Sequence, residues 1–459
     1  MRKTLVIVGA GFCGAVVAAN LLRHPPPSAT DIVLVERGTC MGRGLAYAER
    51  EYPYLLNVPA ARLSADSREP VQFLRFAQRR LPNADGEDFL PRALYGDYLQ
   101  DVLRKAERAA PEHIRLLRTF GEVTNILDSH NGTPLTAQFA DRESIAADTV
   151  ILALGNPPAA LPPWAAELRD HSAFRHDALE LPQTLTAGQS VLIVGNGLTM
   201  ADAAVALSRD ADRVPTLHTI SRRGLIPKPQ TMFHAAAVRG DGEALLESAT
   251  SLRRVLKASR ALAREVERLG GDWREAVAFI RSLAPSLWGR LPEVERRRFV
   301  RHLQVHWDIY RHRLPPQLMA RIDDLRRCGK LHVNAGRIEH AAAVDGRLRV
   351  SWRPRGSEAT ATLMVDLIVN ATGPNYAIER SSDPLVNALR TSGVICADAL
   401  SLGIRTGPYG ACVDAQGRTS RHLYYLGPML RADYLDATAA AELRDHAEHL
   451  AAHLARKDA

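Results

Sequence analysis

Paired cysteines are missing from this sequence. Its cysteines stand at positions 13, 40, 328, 396 and 412, and no two of them form a C-x-x-C pair. Isolated thiols provide no disulfide framework and are typical of proteins in a reducing compartment. We therefore expect a cytoplasmic protein. Its 459 residues are enough for two or three domains with separate hydrophobic cores.

Long hydrophobic runs are also scarce. Only residues 4–22, a run without any charged side chain, approach the roughly 20 apolar residues that a membrane-spanning helix needs. Because Arg2 and Lys3 precede this run, an export signal is an alternative interpretation. The glycines inside the run favour a third interpretation, a buried strand followed by a helix. We therefore expect no membrane partner.

A basic tail and an alternation of basic and aromatic residues are absent as well. The 59 lysines and arginines exceed the 51 acidic residues by eight, but they are spread along the chain. This distribution indicates a solvated, arginine-rich surface rather than a nucleic-acid site. We expect small anionic molecules to use a few of these charges. The oligomeric state is left open.

Three glycines follow the first apolar run. Residues 5–8 are rich in β-branched side chains and suit a buried parallel strand, and Gly9, Gly11 and Gly14 then form a G-x-G-x-x-G motif. The first glycine permits a tight turn, the second lets a pyrophosphate approach the backbone, and the third lets the next helix pack on the strand. The N-terminus of that helix would then face the phosphates.

The residues beyond this motif supply its confirming context. A second apolar run, residues 31–35, ends in Glu36, 22 positions after Gly14. A carboxylate at this spacing accepts hydrogen bonds from ribose hydroxyls. The sequence therefore predicts a dinucleotide-binding unit at the N-terminus, and Glu36 and the adjacent Arg37 are candidate cofactor-binding residues.

A second strand–turn–helix unit begins near residue 190. Gly195 and Gly197 follow an apolar run, but Met200 replaces the third glycine, so either the helix lies further from the strand or Met200 packs across the gap. The next predicted strand ends at Arg222 and Arg223, where an NAD site would carry an acid. Arginine there suits the 2′-phosphate of NADP, although a solvated basic turn is the alternative.

Two more predicted strands run into glycine turns, at Gly155 and Gly373. Together with the two glycine-rich units they predict an α/β fold with two Rossmann-like dinucleotide-binding domains. Apolar residues recur at helical spacing between residues 252 and 269, which predicts a helical insertion. We expect residues 1–175 and 366–459 to form the FAD domain, and residues 176–365 to form the NAD(P)H domain, with the insertion at about 240–327.

These motifs resemble the two-dinucleotide-binding flavoproteins, which bind FAD in the first domain and NAD(P)H in the second. More narrowly, the sequence resembles a bacterial family of FAD/NAD(P)-binding proteins. The matching stretches are VGAGFCG at 8–14, GRGLAYA at 42–48, LLNVPAARLSA at 55–65, DFLPRALYGDYL at 88–99, VGNGLTMADA at 194–203, SRRGLIPKPQ at 221–230, RHLQVHWDIYRHRLPP at 301–316, NATGP at 370–374 and LGPMLRADYLDATAAAELR at 426–444.

The resemblance implies a flavin-dependent monooxygenase that consumes NADPH or NADH and O2. It implies a small-molecule substrate, and urate, hydroxylated to 5-hydroxyisourate, is the candidate. N-hydroxylation of an amine is an alternative and would require a carboxylate, for which Asp308 and Asp433 are candidates. A peroxidase or oxidase that uses Cys40 also fits the resemblance, and so does a nucleotide-binding redox sensor with slow turnover. Leu45 stands where a redox partner of Cys40 would be expected, so a dithiol mechanism is excluded.

The segment 301–316 gathers histidines, arginines and aromatic residues. His302 and His306 are four positions apart, but Leu303 stands where the H-E-x-x-H motif needs glutamate, so we predict no metal site. The segment either forms a wall of the active site or only packs against neighbouring helices. The candidate catalytic residues are Asn57, His306, Arg311 and Arg313. Asn57 would contact the flavin, or would only form a turn before Pro59, and no general base is identified.

Overall fold

The computed structural model describes residues 2–128, 134–182, 185–231, 238 and 242–457. The strands are β1 (Lys3–Val8), β2 (Thr30–Glu36), β3 (Ile114–Phe120), β4 (Val123–Leu127), β5 (Leu135–Phe139), β6 (Ile145–Ala147), β7 (Thr149–Leu152), β8 (Phe174–Arg175), β9 (Ser190–Val194), β10 (Thr216–Ser221), β11 (Leu331–Val344), β12 (Arg347–Pro354), β13 (Ala361–Val365), β14 (Leu367–Asn370), β15 (Ala411–Val413) and β16 (Thr419–Tyr425).

Helices alternate with these strands, and several follow one another between β10 and β11. They are α1 (Phe12–Arg23), α2 (Gln72–Gln78), α3 (Arg92–Arg108), α4 (Leu198–Leu207), α5 (Glu243–Glu247), α6 (Leu252–Arg268), α7 (Trp273–Arg290), α8 (Glu293–His302), α9 (Gln304–Arg311), α10 (Pro316–Arg327), α11 (Pro384–Thr391) and α12 (Ala440–Lys457). In the described part of the chain, no helix is long and apolar enough to cross a membrane.

The first sheet has the strand order β15-β16-β7-β1-β2-β3. All its neighbouring strands are parallel except β15 and β16. In the central strand β1, Val6 pairs with Val33 on one side and with Val150 on the other. Since parallel strands end at the same edge, the turns after β1, β2 and β7 lie together there. The charge-free N-terminal run is thus β1 and α1, and nearly all of α1 is buried.

The second sheet has the order β13-β12-β11-β10-β9-β14-β8. The five neighbouring strands β11, β10, β9, β14 and β8 are parallel, and β12 and β13 extend the sheet beyond β11 in antiparallel pairing. A separate antiparallel sheet contains β4, β5 and β6. Two parallel sheets with crossover helices confirm the predicted fold class, an α/β fold with two Rossmann-like domains.

Each parallel sheet has its own core. In the first, Ile7, Leu34 and Ile151 are fully buried, and in the second, Val191 and Ile193 are fully buried. Met200, which takes the place of the third glycine in the second motif, is also fully buried in this core. Its side chain therefore packs across the gap between α4 and the sheet.

The helices α5 to α9 form a layer between β10 and α10. The helices α5, α6 and α7 pack around Leu245, Leu287 and Leu291, whereas α8 and α9 contribute to a separate cluster around Trp288. The predicted start of the insertion, near residue 240, lies outside the described residues. The helix α10 lies within the predicted insertion range, but it packs on α4 and contributes Leu318 and Ile322 to the second core. It is therefore the crossover helix between β10 and β11.

Candidate active site

The first glycine turn is shaped by close backbone approaches. Gly9 has a φ of +100°, and a Cβ there would lie 2.3 Å from the carbonyl oxygen of Ala153. A Cβ on Gly14 would lie 1.9 Å from the carbonyl oxygen of Gly9. At Gly11, by contrast, the nearest such neighbour is the Cα of Gly44, 3.4 Å away. The packing of the backbone therefore excludes a side chain at Gly9 and Gly14. At Gly11 it does not, so the space beside Gly11 is free for a ligand.

Glu36 lies beside this turn, at the end of β2. Its carboxylate accepts hydrogen bonds from the backbone N–H groups of Ala10 (3.0 Å) and Gly38 (2.9 Å). These bonds hold the acid next to the glycine turn, as a ribose-binding residue requires. Arg37 is exposed, and its guanidinium lies 3.4 Å from the carboxylate of Asp383.

The second glycine turn repeats this construction. Gly195 has a φ of +112°, and a Cβ there would lie 2.4 Å from the carbonyl oxygen of Ala371. A Cβ on Gly197 would meet no atom within 4 Å. Asn196 is buried, and neither polar atom of its side chain has a hydrogen-bond partner among the described residues. The space at this turn and the unpaired Nδ2 donor of Asn196 fit a bound phosphate group.

A cavity of about 1760 Å³ opens between the two domains and the helical layer. Eight of the predicted site residues line this cavity: Asn57, Gly195, Gly197, Arg222, Arg223, Arg311, Arg313 and Gly373. Gly9, Gly11, Gly14, Glu36, Arg37 and Gly155 are not among the lining residues. Gly155 has a φ of +71°, and a Cβ there would meet no atom within 4 Å. The next residue, Asn156, does line the cavity.

The helix α9 presents one face to this cavity. Val305, Asp308 and Ile309 line it, and so does His312 just beyond the helix. These positions follow the i, i+3, i+4, i+7 spacing of one helical face. His306 lies outside that face; it is exposed and does not line the cavity. The segment 301–316 therefore forms a cavity wall with one face of α9.

The helices α9 and α7 also contact the C-terminal part of the chain, in part through Arg311, which lines the cavity as well. Arg311 is buried and pairs with the buried carboxylate of Asp436, and it also donates a hydrogen bond to Thr438 (3.1 Å). Trp307 donates a hydrogen bond to Asp436 (3.3 Å), and Trp288 donates one to the carbonyl oxygen of Ala432 (3.0 Å). These contacts join the helical layer to the first domain.

Sequence reasoning missed several cavity residues because they are distant in sequence from α9. Arg281 on α7 pairs with Glu442 on α12 (2.5 Å), and both line the cavity. Tyr376 follows β14, and Arg431 lies in a short 3-10 turn, Pro428–Ala432. The stretch NATGP lies just before Tyr376, and LGPMLRADYLDATAAAELR contains Arg431 and Glu442, so the family motifs were the signal for these residues, whereas no motif contains Arg281.

Burial and neighbouring charges perturb the titration of this region. Burial raises the pKa of Asp308, against the opposing charges of Arg311 and Arg431. Burial lowers the pKa of His312 well below its usual value, and nearby arginines lower it further. Burial, followed by the charges of Arg274 and Arg281, lowers the pKa of Arg313 to about 10. His312 is therefore neutral near pH 7.

The two carboxylates considered for an amine substrate lie in different places. Asp308 lines the cavity. Asp433 does not, and its carboxylate accepts hydrogen bonds from the backbone N–H (3.2 Å) and the hydroxyl (2.8 Å) of Thr406. Only Asp308 of this pair is placed to contact a molecule in the cavity.

An ion pair connects the two domains at the cavity. Arg92 lines the cavity at the start of α3 and donates a hydrogen bond to Asp202 on α4 (2.6 Å). Its Nε also donates to the carbonyl oxygen of Leu55, two residues before Asn57. Burial raises the pKa of Asp202, against the charge of Arg92. Arg92 thus holds the loop that carries Asn57 against the second domain.

Cys40 is exposed and lies outside the cavity. Gln100 donates a hydrogen bond to its sulfur (3.0 Å), and no other cysteine is near it in sequence. Among the described residues, no group of three or more histidine, cysteine or acidic side chains is arranged to hold a metal ion.

We expect Cys40→Ser to retain NAD(P)H oxidation within about twofold of the parent, because the hydroxyl can accept the same hydrogen bond and the thiol does not contact the cavity. Steady-state oxidation at 340 nm, with the FAD content of each preparation determined, measures this. A variant that retained FAD but lost turnover would instead favour the peroxidase interpretation.

Residues 6–157 match a family model described as FAD-NAD(P)-binding. The matched range contains the first glycine turn, Glu36 and Gly155, and it confirms the predicted cofactor classes, FAD and NAD(P)H. No curated protein sequence matches the chain, so the similarity to a urate hydroxylase stays a prediction.

Solved structures of flavin monooxygenases share the fold along almost the whole chain. L-lysine 6-monooxygenase from Pseudomonas syringae is 17% identical, with 99% of each chain covered and a TM-score of 0.66. The FAD-bound cadaverine monooxygenase from Erwinia amylovora is 14% identical, with 97% of this chain and 92% of that chain covered and a TM-score of 0.65. An ornithine N-hydroxylase from Kutzneria sp. 744, with reduced FAD, NADP+ and L-ornithine, is 16% identical, with 100% of each chain covered and a TM-score of 0.62. At these identities the likeness shows the fold.

Proposed function

We propose that this protein is a flavin-dependent monooxygenase that uses NADPH and O2 to N-hydroxylate a small amine. Asp308 carries the proposal, because it lies in the cavity between the domains, where an amine needs a carboxylate partner. The folds shared with lysine, cadaverine and ornithine hydroxylases support the same reaction class.

The residues of the two glycine turns fit the cofactors. Gly11 and Gly197 leave unused space, Glu36 is held beside the first turn, and Asn196 has unpaired polar atoms beside the second. Bound FAD would supply hydride acceptance from NADPH and activation of O2. Arg222 and Arg223 line the cavity near the second turn and are assigned to the 2′-phosphate.

The chain's own contribution is binding, orientation and exclusion of water. Asp308 would accept a hydrogen bond from the substrate nitrogen and fix its position. Asn57 and Tyr376 line the cavity from the first domain and from the turn after β14. The helical layer covers the cavity, and its buried contact with the C-terminal segment holds that cover in place.

The test compares lysine, cadaverine and urate as substrates, each with FAD-loaded protein and NADPH in air. An amine hydroxylase should consume NADPH faster with an amine and release a hydroxylamine. Asp308→Asn should lose most of this stimulation, whereas the matched Asp433→Asn should keep it, because Asp433 lies outside the cavity. If no amine stimulates NADPH oxidation or yields a hydroxylamine, the N-hydroxylase proposal fails.

Urate is a second candidate substrate, and the arginines of the same cavity favour it. Arg281, Arg311, Arg313 and Arg431 all line the cavity and could hold an anionic planar heterocycle. Disappearance of urate with formation of 5-hydroxyisourate would support this candidate. Slow NADPH oxidation that no substrate accelerates would instead support a redox sensor.

We expect Arg222→Ala to raise the Michaelis constant for NADPH about tenfold or more and to leave that for NADH nearly unchanged. An arginine–phosphate contact contributes about 1.5–3 kcal/mol, and NADH lacks that phosphate. Initial rates with each cofactor measure the effect. Arg213→Ala is the control, since Arg213 is exposed and lies outside this cavity. An unchanged NADPH/NADH ratio in Arg222→Ala would show that the residue does not contact the 2′-phosphate.

A further inference from the structure

Arg431 is a buried cation at the edge of the cavity. It is 7% exposed and lines the cavity from the turn Pro428–Ala432. In the part of the chain that the structure describes, no carboxylate forms an ion pair with it, and its Nε has no hydrogen-bond partner. A buried guanidinium with no carboxylate in direct contact is costly, so a ligand that supplies one would be bound favourably.

Arg281 and Arg311 differ from Arg431 because protein carboxylates form ion pairs with them, whereas the charge of Asp308 acts on Arg431 without such a contact. Arg281 pairs with Glu442, and Arg311 pairs with Asp436 and lies 3.8 Å from Asp308. Their charges are largely compensated within the protein. Of Arg281, Arg311 and Arg431, only Arg431 has no carboxylate in ion-pair contact among the described residues, so it can pair with a molecule in the cavity.

The guanidinium of Arg431 stacks on the ring of Tyr376. The guanidinium carbon lies over the ring, 4.9 Å from its centroid. The hydroxyl of Tyr376 in turn contacts the side-chain oxygen of Asn156 (3.3 Å), and all three residues line the cavity. A stacked guanidinium keeps its N–H edge available for the two parallel hydrogen bonds that a carboxylate accepts.

We propose that Arg431 binds an anionic group of the substrate, so that the enzyme selects amines that carry a carboxylate. The inference rests on the proposed N-hydroxylase function and names the substrate class of that site. Asp308 and Arg431 both line the cavity, so one molecule can place its amine at the carboxylate and its carboxylate at the guanidinium. A phosphate of NADPH or FAD is the other source of an anion, and the test separates the two sources.

Lysine and cadaverine form a matched pair of probes, since they differ only in the α-carboxylate. Binding is measured from the change in flavin absorbance in the absence of NADPH, so the measurement does not depend on turnover. Urate serves as an anionic probe without an amine chain. The parent enzyme should bind lysine about 10- to 100-fold more tightly than cadaverine. Arg431→Ala should remove most of that preference, and Arg431→Lys should restore part of it, because lysine keeps the charge but not the two parallel bonds.

The controls distinguish this inference from the proposed function. Arg297→Ala, at an exposed residue of α8, should bind all probes as the parent does. If urate binds and neither amine binds, and Arg431→Ala abolishes urate binding, the N-hydroxylase proposal fails and the anion site stands. The inference is overturned if the parent shows no preference for the anionic probes. The inference is also overturned if Arg431→Ala weakens the binding of lysine and of cadaverine equally. A lower FAD content or a lower NADPH affinity in that variant, with the lysine preference unchanged, would overturn it as well.

Discussion

Asp436→Ala should lower the free energy of unfolding by about 3–5 kcal/mol, because it removes the closer of the two carboxylates that face the buried guanidinium of Arg311. The side chains of Arg311 and Asp436 are 2% and 4% exposed. The same carboxylate also accepts the hydrogen bond of Trp307, so the substitution removes two contacts between the helical layer and the first domain.

Urea unfolding followed by tryptophan fluorescence measures this change, since Trp288 and Trp307 both lie at the contact. Glu293→Ala is the matched control, because Glu293 and its partner Arg297 are each 59% exposed. Removal of an exposed partner should cost less than about 1 kcal/mol. Equal effects of the two substitutions would mean that the contact between α9 and the C-terminal segment does not stabilise the protein.

Gly11→Ala should weaken FAD binding at least about 100-fold, or ~2.7 kcal/mol, while the apoprotein keeps its fold. Gly11 has a φ of −72°, which alanine can adopt, and the nearest atom to its Cβ position is 3.4 Å away. The added methyl group would occupy the space through which a pyrophosphate approaches the backbone. Gly14→Ala should instead disrupt the domain, because its Cβ would lie 1.9 Å from a carbonyl oxygen.

Titration of the apoprotein with FAD, monitored by flavin fluorescence, measures affinity, and circular dichroism reports the fold. Gly197→Ala is the matched control in the second domain, where φ is −84° and no atom lies within 4 Å of the Cβ position. It should raise the Michaelis constant for NADPH and leave FAD binding unchanged. If Gly11→Ala binds FAD as tightly as the parent, the first turn is not the pyrophosphate site.

The candidate site could be predicted only in part from the sequence. Both glycine turns were recognisable because their residues are adjacent in the chain. The orientation of α9 was not, because it depends on which face packs against the C-terminal segment. His306 and Arg311 are five residues apart, yet His306 is exposed and Arg311 is buried against Asp436. Arg431 was missed because burial without a carboxylate in contact is a property of the assembled cavity.

The sequence by itself determined the two dinucleotide-binding units and the α/β fold class. In each unit the strand, the glycine turn and the acid or arginine at the end of the next strand lie within a short stretch of sequence, and local backbone geometry requires the glycines. Only the tertiary structure decided which residues share the cavity. Asp308, Tyr376 and Arg431 come from three distant segments, and their meeting depends on the packing of the helical layer on the first domain. Long-range packing of this kind leaves no periodic pattern in a single sequence, whereas buried strands and glycine turns do.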